Sequence, residues 1–251
     1  MRRFYIEEIR EEDGFCVISG SEARHISKIL RMGRGDRLVL FDAKGKRFQA
    51  VIRSVDPQNV RVVIEKSLPK SPPAVVEITL CQSLLRSQPM DYILQKTSEL
   101  GIHRIVPFIS EKTVVRPDNK ALINRIRHWY KIAQSAAKQS DRGAPIEIEP
   151  LISFHKMTDH WKGENGFKVI LWEAEDARGI KALIQKYPRE KKMIGIIGPE
   201  GGFSIKEIAV AEKAGFIPVS LGHRILRAET AAITLAAIFQ YEWGDLGSPI
   251  A

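Results

Sequence analysis

The chain has 251 residues, 44% hydrophobic and 27% charged, which is enough to bury a full core and excludes an extended disordered polypeptide. Its 39 Lys and Arg against 30 Asp and Glu leave a formal charge of +9. That excess points to a polyanionic partner and says nothing about fold.

In chain order, a helix over roughly Ser21 to Arg31 is predicted first. Three short alternating strands follow, Arg37–Phe41, Phe48–Ile52 and Val60–Ile64, with turn signals at Asp42–Gly45 and Asp56–Asn59. These elements suit a small antiparallel barrel or curled sheet. On the helix, Arg24, Lys28 and Arg31 fall at i, i+4 and i+7 and share a face, with Ile26, Ile29 and Leu30 turned to the core. Three charges alone would be an ordinary solvated face. Arg34 and Arg37 extend the run, and Arg2 and Arg3 add to it, so phosphate contact is the better reading.

The proline-rich segment Ser67-Leu-Pro-Lys-Ser-Pro-Pro73 reads as an extended linker and divides the chain into domains 1–72 and 73–251. Beyond it, strands Val75–Cys81, Ile105–Ile109, Lys168–Trp172, Met193–Ile197 and Pro218–Leu221 are predicted. They alternate with helices Met90–Leu100, Asn119–Gln139, Gly179–Tyr187, Ser204–Ala214 and Ala228–Trp243. The alternation predicts an α/β domain, a mostly parallel sheet with helices on both faces. The long second helix buries Ile126, Trp129 and Ala133. Its other face carries Arg127, Lys131 and Lys138, where a solvated stripe and an RNA contact are equally good readings.

Cys16 and Cys81 both lie in apolar, strand-like runs and read as reduced core residues. His155 and His160 are spaced so that they do not share a helical face, and no other histidine has ligand spacing, so no metal is expected. Acidic residues interrupt the N-terminus before an apolar signal region forms, and the longest apolar stretch, near Ala231–Phe239, is well short of the ~20 residues that span a bilayer. A cytoplasmic location is expected.

Two segments carry chemistry. In Ile194–Glu207 an apolar strand runs into Gly198-Pro-Glu-Gly-Gly202 and then a helix, whose start is fixed by the Ser204-x-x-Glu207 capping-box spacing. At the carboxyl end of a strand, such a turn lets a ligand approach backbone closely. A phosphate cradle would need a lysine and a hydroxyl where Pro199 and Glu200 stand. A carboxylate suits a sulfonium cation, a ribose or an amino group, and a ligand-free tight turn is an equal alternative. In Val219–Ala232, the apolar Ile225 and Leu226 in the middle of a polar loop predict a loop buried at a ligand or substrate site.

Ile197-Gly-Pro-Glu-Gly-Gly-Phe-Ser204 and Ser220-Leu-Gly-His-Arg-Ile-Leu-Arg-Ala-Glu-Thr-Ala231 resemble the signature loops of the bacterial 16S ribosomal RNA (uracil-N3)-methyltransferase family, of the SPOUT superfamily. Arg3–Ile6, His25–Arg31, Gln95–Gly101, Ser110–Thr113 and Trp129–Ala133 agree, so the resemblance spans nearly the whole chain. It implies a PUA-like N-terminal barrel, a C-terminal domain with a deep trefoil knot, and a homodimer that binds S-adenosylmethionine. Carried over residue by residue, the cofactor contacts would be Leu171, Trp172 and Glu173, then Gly198, Pro199, Glu200, Gly201 and Gly202, then Leu221, Gly222, Ile225 and Leu226. The implied substrate is one uridine of 16S ribosomal RNA in the small subunit, the family's position 1498.

Methylating uracil N3 requires loss of its imide proton, which spreads negative charge onto O2 and O4. A fixed cation would stabilise that charge, and Arg224 and Arg227 are the candidates. Glu229 would accept the proton or hold an arginine in place. A purely structural Arg227–Glu229 ion pair is the competing reading. A transfer RNA methyltransferase of the same superfamily, a nonenzymatic ribosome-assembly factor and a nucleotide hydrolase are the rival functions. The last lacks a phosphate-loop lysine, and the assembly factor leaves the glycine loops unexplained.

Overall fold

Alternating apolar residues in the first part of the chain do build a curled sheet, and the α/β alternation beyond it builds a second, wholly parallel one. The computed structural model describes residues 1–6, 14–42, 46–69, 74–140, 142, 144–175 and 178–247. These form two units, Met1–Pro73 with Gln134–Pro145, and Ala74–Ala133 with Ile146–Ala251. Residues 43–45 of the first predicted turn and 70–73 of the proline-rich segment lie outside the described residues.

The smaller unit has strands β1 (Arg2–Tyr5), β2 (Phe15–Ser19), β3 (Arg37–Phe41), β4 (Arg47–Val55) and β5 (Asn59–Leu68), in the order β1-β3-β4-β5-β2. Phe48, Ala50 and Ile52 on β4 and Val60 and Val62 on β5 alternate inward and join Phe4, Ile18 and Ile26 in one core. Register shifts at Gln49/Ala50 and Ile52/Ser54 are bulges that increase the local twist. The sheet is not wholly antiparallel, since β1 pairs parallel with β3. β2 and a helix separate the two in sequence, and such a crossover returns the chain in the same direction.

The predicted first helix is broken into α1 (Gly20–Arg24) and a π-helical turn, His25–Ile29, in which the Leu30 N–H donates to His25 O at 2.9 Å. The wider turn shifts the side-chain period. Ala23 and Ile26 stay buried, but Ile29 is 70% exposed, contrary to its predicted core position. Arg31, at φ 50°, is left-handed and lies beyond the helix, so it does not continue the Arg24–Lys28 face as the spacing predicted.

The larger unit has β6 (Glu77–Ser83), β7 (Arg104–Ile109), β8 (Glu147–Ile148), β9 (Ile152–Ser153), β10 (Phe167–Leu171), β11 (Lys192–Ile197) and β12 (Ile217–Val219). Their order is β12-β10-β11-β6-β7-β8, with β9 also on β7, and every pairing is parallel. The helices are α2 (Ser87–Glu99), α3 (Asn119–Gln139, of which the part from Gln134 on belongs to the smaller unit), α4 (Phe154–Trp161), α5 (Ile180–Ile184), α6 (Ile205–Lys213) and α7 (Ala228–Glu242). Both faces are covered, which is why β11 is apolar after Lys192 and β10 is apolar but for Lys168. On one face Leu80 and Met193 meet Ile93, Leu94, Leu235 and Phe239. On the other, Ile170, Ile194 and Ile196 meet Met157, Trp161, Ile208 and Ala211. Gly195 lets α7 settle close to the sheet, since a Cβ there would overlap the Leu235 side chain.

β8, β9 and α4 were not predicted. Two-residue strands carry no period, and α4 is announced only by Ser153, whose Oγ accepts the Lys156 N–H.

Candidate functional site

A cleft of about 790 Å³ opens in the larger unit at the carboxyl ends of its strands. Its walls come from the segments after β10, β11 and β12, the place where open parallel sheets bind ligands. Every proposed cofactor residue from Leu171 to Leu226 lines it, as do Arg224, Arg227 and Glu229.

The segment after β10 begins at buried Leu171 and half-buried Trp172, whose N–H donates to Val219 O at 3.1 Å; Glu173 is exposed. After β11, Gly198 and Pro199 are buried and Glu200 is exposed. The turn closes through Gly202 N–H to Pro199 O at 3.0 Å, with Gly202 at φ 66°. A Cβ on Gly202 would overlap the Glu173 carboxylate, so the two loops touch here with no room for a side chain. A Cβ on Gly201 would press on Lys112 at 3.2 Å, and one on Gly198 would meet the Phe203 ring at 3.0 Å.

The capping box forms as its spacing predicts. Ser204 Oγ accepts the Glu207 N–H and Glu207 Oε2 accepts the Ser204 N–H. The other oxygen of this buried carboxylate, Oε1, accepts the Glu111 N–H at 2.9 Å. Lys112 adds a bond from Nζ to Phe203 O at 3.2 Å. The Ser110–Thr113 turn is itself closed by Ser110 N–H to Thr113 Oγ1 and by hydroxyl contacts among Ser83, Ser110 and Thr113.

The segment after β12 is pinned at its root, where the Ser220 N–H donates to Arg178 O and Ser220 O accepts the Ile180 N–H. Gly222, at φ 115°, then turns the chain over the cleft. The predicted burial of the Ile225–Leu226 pair does not hold in the single chain. Leu226 is half-buried, while Ile225 lies at the cleft mouth and is 87% exposed.

Arg224 and Arg227 are exposed, and Glu229 is half-buried in the first turn of α7. Among the described residues no ion pair joins Arg227 to Glu229. Arg227 is the N-cap of α7 and makes no side-chain capping bond, so its cation opposes the helix dipole. The cleft holds Arg86, Arg224 and Arg227 against Glu173, Glu200 and Glu229. That balance does not favour a phosphate.

Sequence reasoning missed Arg86, Pro89 and Val114 as cleft residues. Arg86 is exposed and is the N-cap of α2, directly beyond the carboxyl end of β6. Its position, first polar residue after the apolar run Leu84–Leu85, was the available signal.

The proposed RNA contacts are placed as follows. Arg2, Arg24, Lys28, Arg31, Arg127 and Lys131 are exposed, and Arg3 is half-buried. Two further members of the basic runs are engaged elsewhere. Lys138 pairs with Glu22, and the Arg37 Nε donates to Glu65 Oε2 at 3.0 Å, which raises the arginine's pKa and lowers the carboxylate's. No described helix is long and apolar enough to cross a membrane, and no described cluster of three or more His, Cys, Asp and Glu could hold a metal.

Residues 72–240 match the RNA methyltransferase domain family and residues 18–65 the RNA methyltransferase PUA domain family. A methyltransferase from Legionella pneumophila, solved in complex with the bound cofactor SAM, is 31% identical, with 97% of this chain and 98% of that one covered and a TM-score of 0.89. The ribosomal RNA small subunit methyltransferase E of Neisseria gonorrhoeae, bound to S-adenosyl methionine, is 32% identical over 98% and 99% of the two chains, with a TM-score of 0.87. The enzyme of that name from Buchnera aphidicola subsp. Acyrthosiphon pisum is 31% identical over 245 residues, 97% of this chain and 94% of its own. The chain thus belongs to the ribosomal RNA small subunit methyltransferase E family and is an RNA methyltransferase of the SPOUT type.

Proposed function

We propose that this protein transfers the methyl group of S-adenosylmethionine to N3 of a single uridine of 16S ribosomal RNA, position 1498, in the small ribosomal subunit. The observation that carries this reading is the cleft, built from the two glycine loops and the Leu171–Glu173 segment. Its tight backbone, together with carboxylates at Glu173 and Glu200, fits a sulfonium nucleoside better than a phosphate. Leu171, Trp172, Gly198–Gly202, Leu221, Gly222, Ile225 and Leu226 would hold the cofactor, which supplies an electrophilic methyl group.

The protein's own part concerns the base and its proton. N3 lies on the Watson–Crick edge, so the uridine must be unpaired or turned out of the stack. Arg224 and Arg227 face the charge that grows on O2 and O4 as the proton leaves, and Glu229 accepts that proton or orients an arginine. An arginine with no ion-pair partner among the described residues is locally unfavourable at a helix N-terminus, which supports a role outside helix stability. Arg2, Arg3, Arg24, Lys28, Arg31, Arg127 and Lys131 contact RNA phosphates. Residues 1–72 form the PUA-like RNA-binding domain and 73–251 the knotted catalytic domain. A two-fold homodimer would cover Ile225, and the protein works in the cytoplasm, where its RNA is.

The test is direct. Purified protein, S-adenosylmethionine and unmodified small subunits are incubated, and the RNA is digested for nucleoside mass spectrometry. One 3-methyluridine per subunit is expected. Methylation of another base, or of transfer RNA alone, would refute the assignment.

A further inference from the structure

The small sheet has an inner face packed on Ile18, Ile52, Val60 and Val62. Its outer face can be read from the register. Phe15 on β2 stands opposite Val63 on β5, which stands opposite Val51 on β4 and then Arg37 on β3. The next row holds Val17, Arg61 and Ser54, and Lys66 pairs with Gln49 on the other side. Arg53 is exposed at the bulge beside Ser54.

Two features set this face apart. β2 is an edge strand, yet it shows solvent Phe15, 52% exposed, and Val17, 46% exposed, where edges commonly carry charge. Scattered apolar residues alone mean little. Here they are flanked by Arg53, Arg61 and Lys66, all exposed. The acidic side chain in these rows, Glu65, is already held by Arg37 Nε at 3.0 Å and Gln49 Nε2 at 2.9 Å. Among the described residues Arg53, Arg61 and Lys66 make no ion pair, and they share this part of the sheet with Phe15.

We propose that this outer face at β5 and β2 binds a single-stranded RNA segment, with a base stacked on Phe15 and phosphates held by Arg53, Arg61 and Lys66. Interleaved rings and cations are what single strands need, because their bases are free to stack. A second copy of the chain is a poorer occupant, since its own face would bring the same positive charge against this one. The surface is distinct from the Arg24–Lys28 helix and rests on the reading of the protein as an RNA methyltransferase.

The experiment uses the full chain, a fluorescein-labelled 12-nucleotide oligouridine and naked small-subunit RNA. Phe15→Ala should weaken oligouridine binding about fivefold or more, and Phe15→Trp should retain it. Arg61→Ala should lower the slope of log affinity against log salt by about 0.7. Melting temperature and S-adenosylmethionine affinity should match wild type in all three. The proposal is overturned if wild type ignores the oligonucleotide, if the variants bind like wild type, or if Phe15→Ala instead dissociates a dimer in sedimentation. A wild-type protein that methylates subunits while the variants bind RNA unchanged refutes only this surface. A wild type with no methylation refutes the functional reading itself.

Discussion

Gly202→Val concentrates the cofactor argument in one atom group. Gly202 sits at φ 66°, and its missing side chain leaves the space taken by the Glu173 carboxylate. Two costs follow. A left-handed backbone costs an L-residue about 1–2 kcal/mol, and more when the side chain is β-branched. The overlap with Glu173 also forces one of two cleft loops to move. Both residues lie at the cleft rather than in the core, so the fold should survive. Even if only the smaller part of this cost falls on the ligand-binding geometry, affinity drops by about 1.4 kcal/mol, a factor of ten. Isothermal titration with S-adenosylmethionine reads this, and a melting curve checks the fold. Wild-type affinity in Gly202→Val would show that the two loops do not hold the cofactor.

Charge reversal at Arg24, Lys28 and Arg31 should weaken RNA binding and flatten its salt dependence by roughly 0.9 per lost phosphate contact, while cofactor affinity holds. An unchanged slope would make them a solvated surface. Arg224→Ala or Arg227→Ala should slow single-turnover methylation about 100-fold at constant cofactor and RNA affinity, with partial recovery at higher pH as the uracil ionises unaided. A rate that falls in step with melting temperature would make the arginine structural. Sedimentation at micromolar protein should give a mass about twice the 28.3 kDa chain. A fully active monomer would refute the dimer.

Much of the architecture was legible because long-period signals are local. The parallel sheet followed from strands that alternate with helices, and the start of α6 from Ser204 and Glu207 alone. What failed to show depended on partners distant in sequence. β1 runs parallel to β3 because of where the chain returns, which Arg2–Tyr5 does not encode. Ile29 was assigned inward from an α-helical period that the π turn abolishes. Lys138 read as part of a free basic stripe because its partner, Glu22, lies far away in sequence. The glycine loops were legible as cleft walls because unusual residue types mark unusual backbone. Arg86 was not, because its one signal, a polar residue after Leu84–Leu85, is too common to single it out until the sheet places it at the cleft.

Glu207 imposes a chemical restriction that its exposed neighbours escape. Both oxygens are committed to main-chain N–H groups on two different segments, Ser204 and Glu111. Glutamine has the same size but one oxygen, and its amide nitrogen would confront whichever N–H lost its acceptor. Aspartate keeps two oxygens but is one methylene shorter. Neither substitute keeps both bonds at their present geometry, though the residue forms no part of the cleft lining. Through it, the turn after β7 and the helix after the glycine turn are tied to one another, and a partly exposed cleft loop rests on a buried carboxylate.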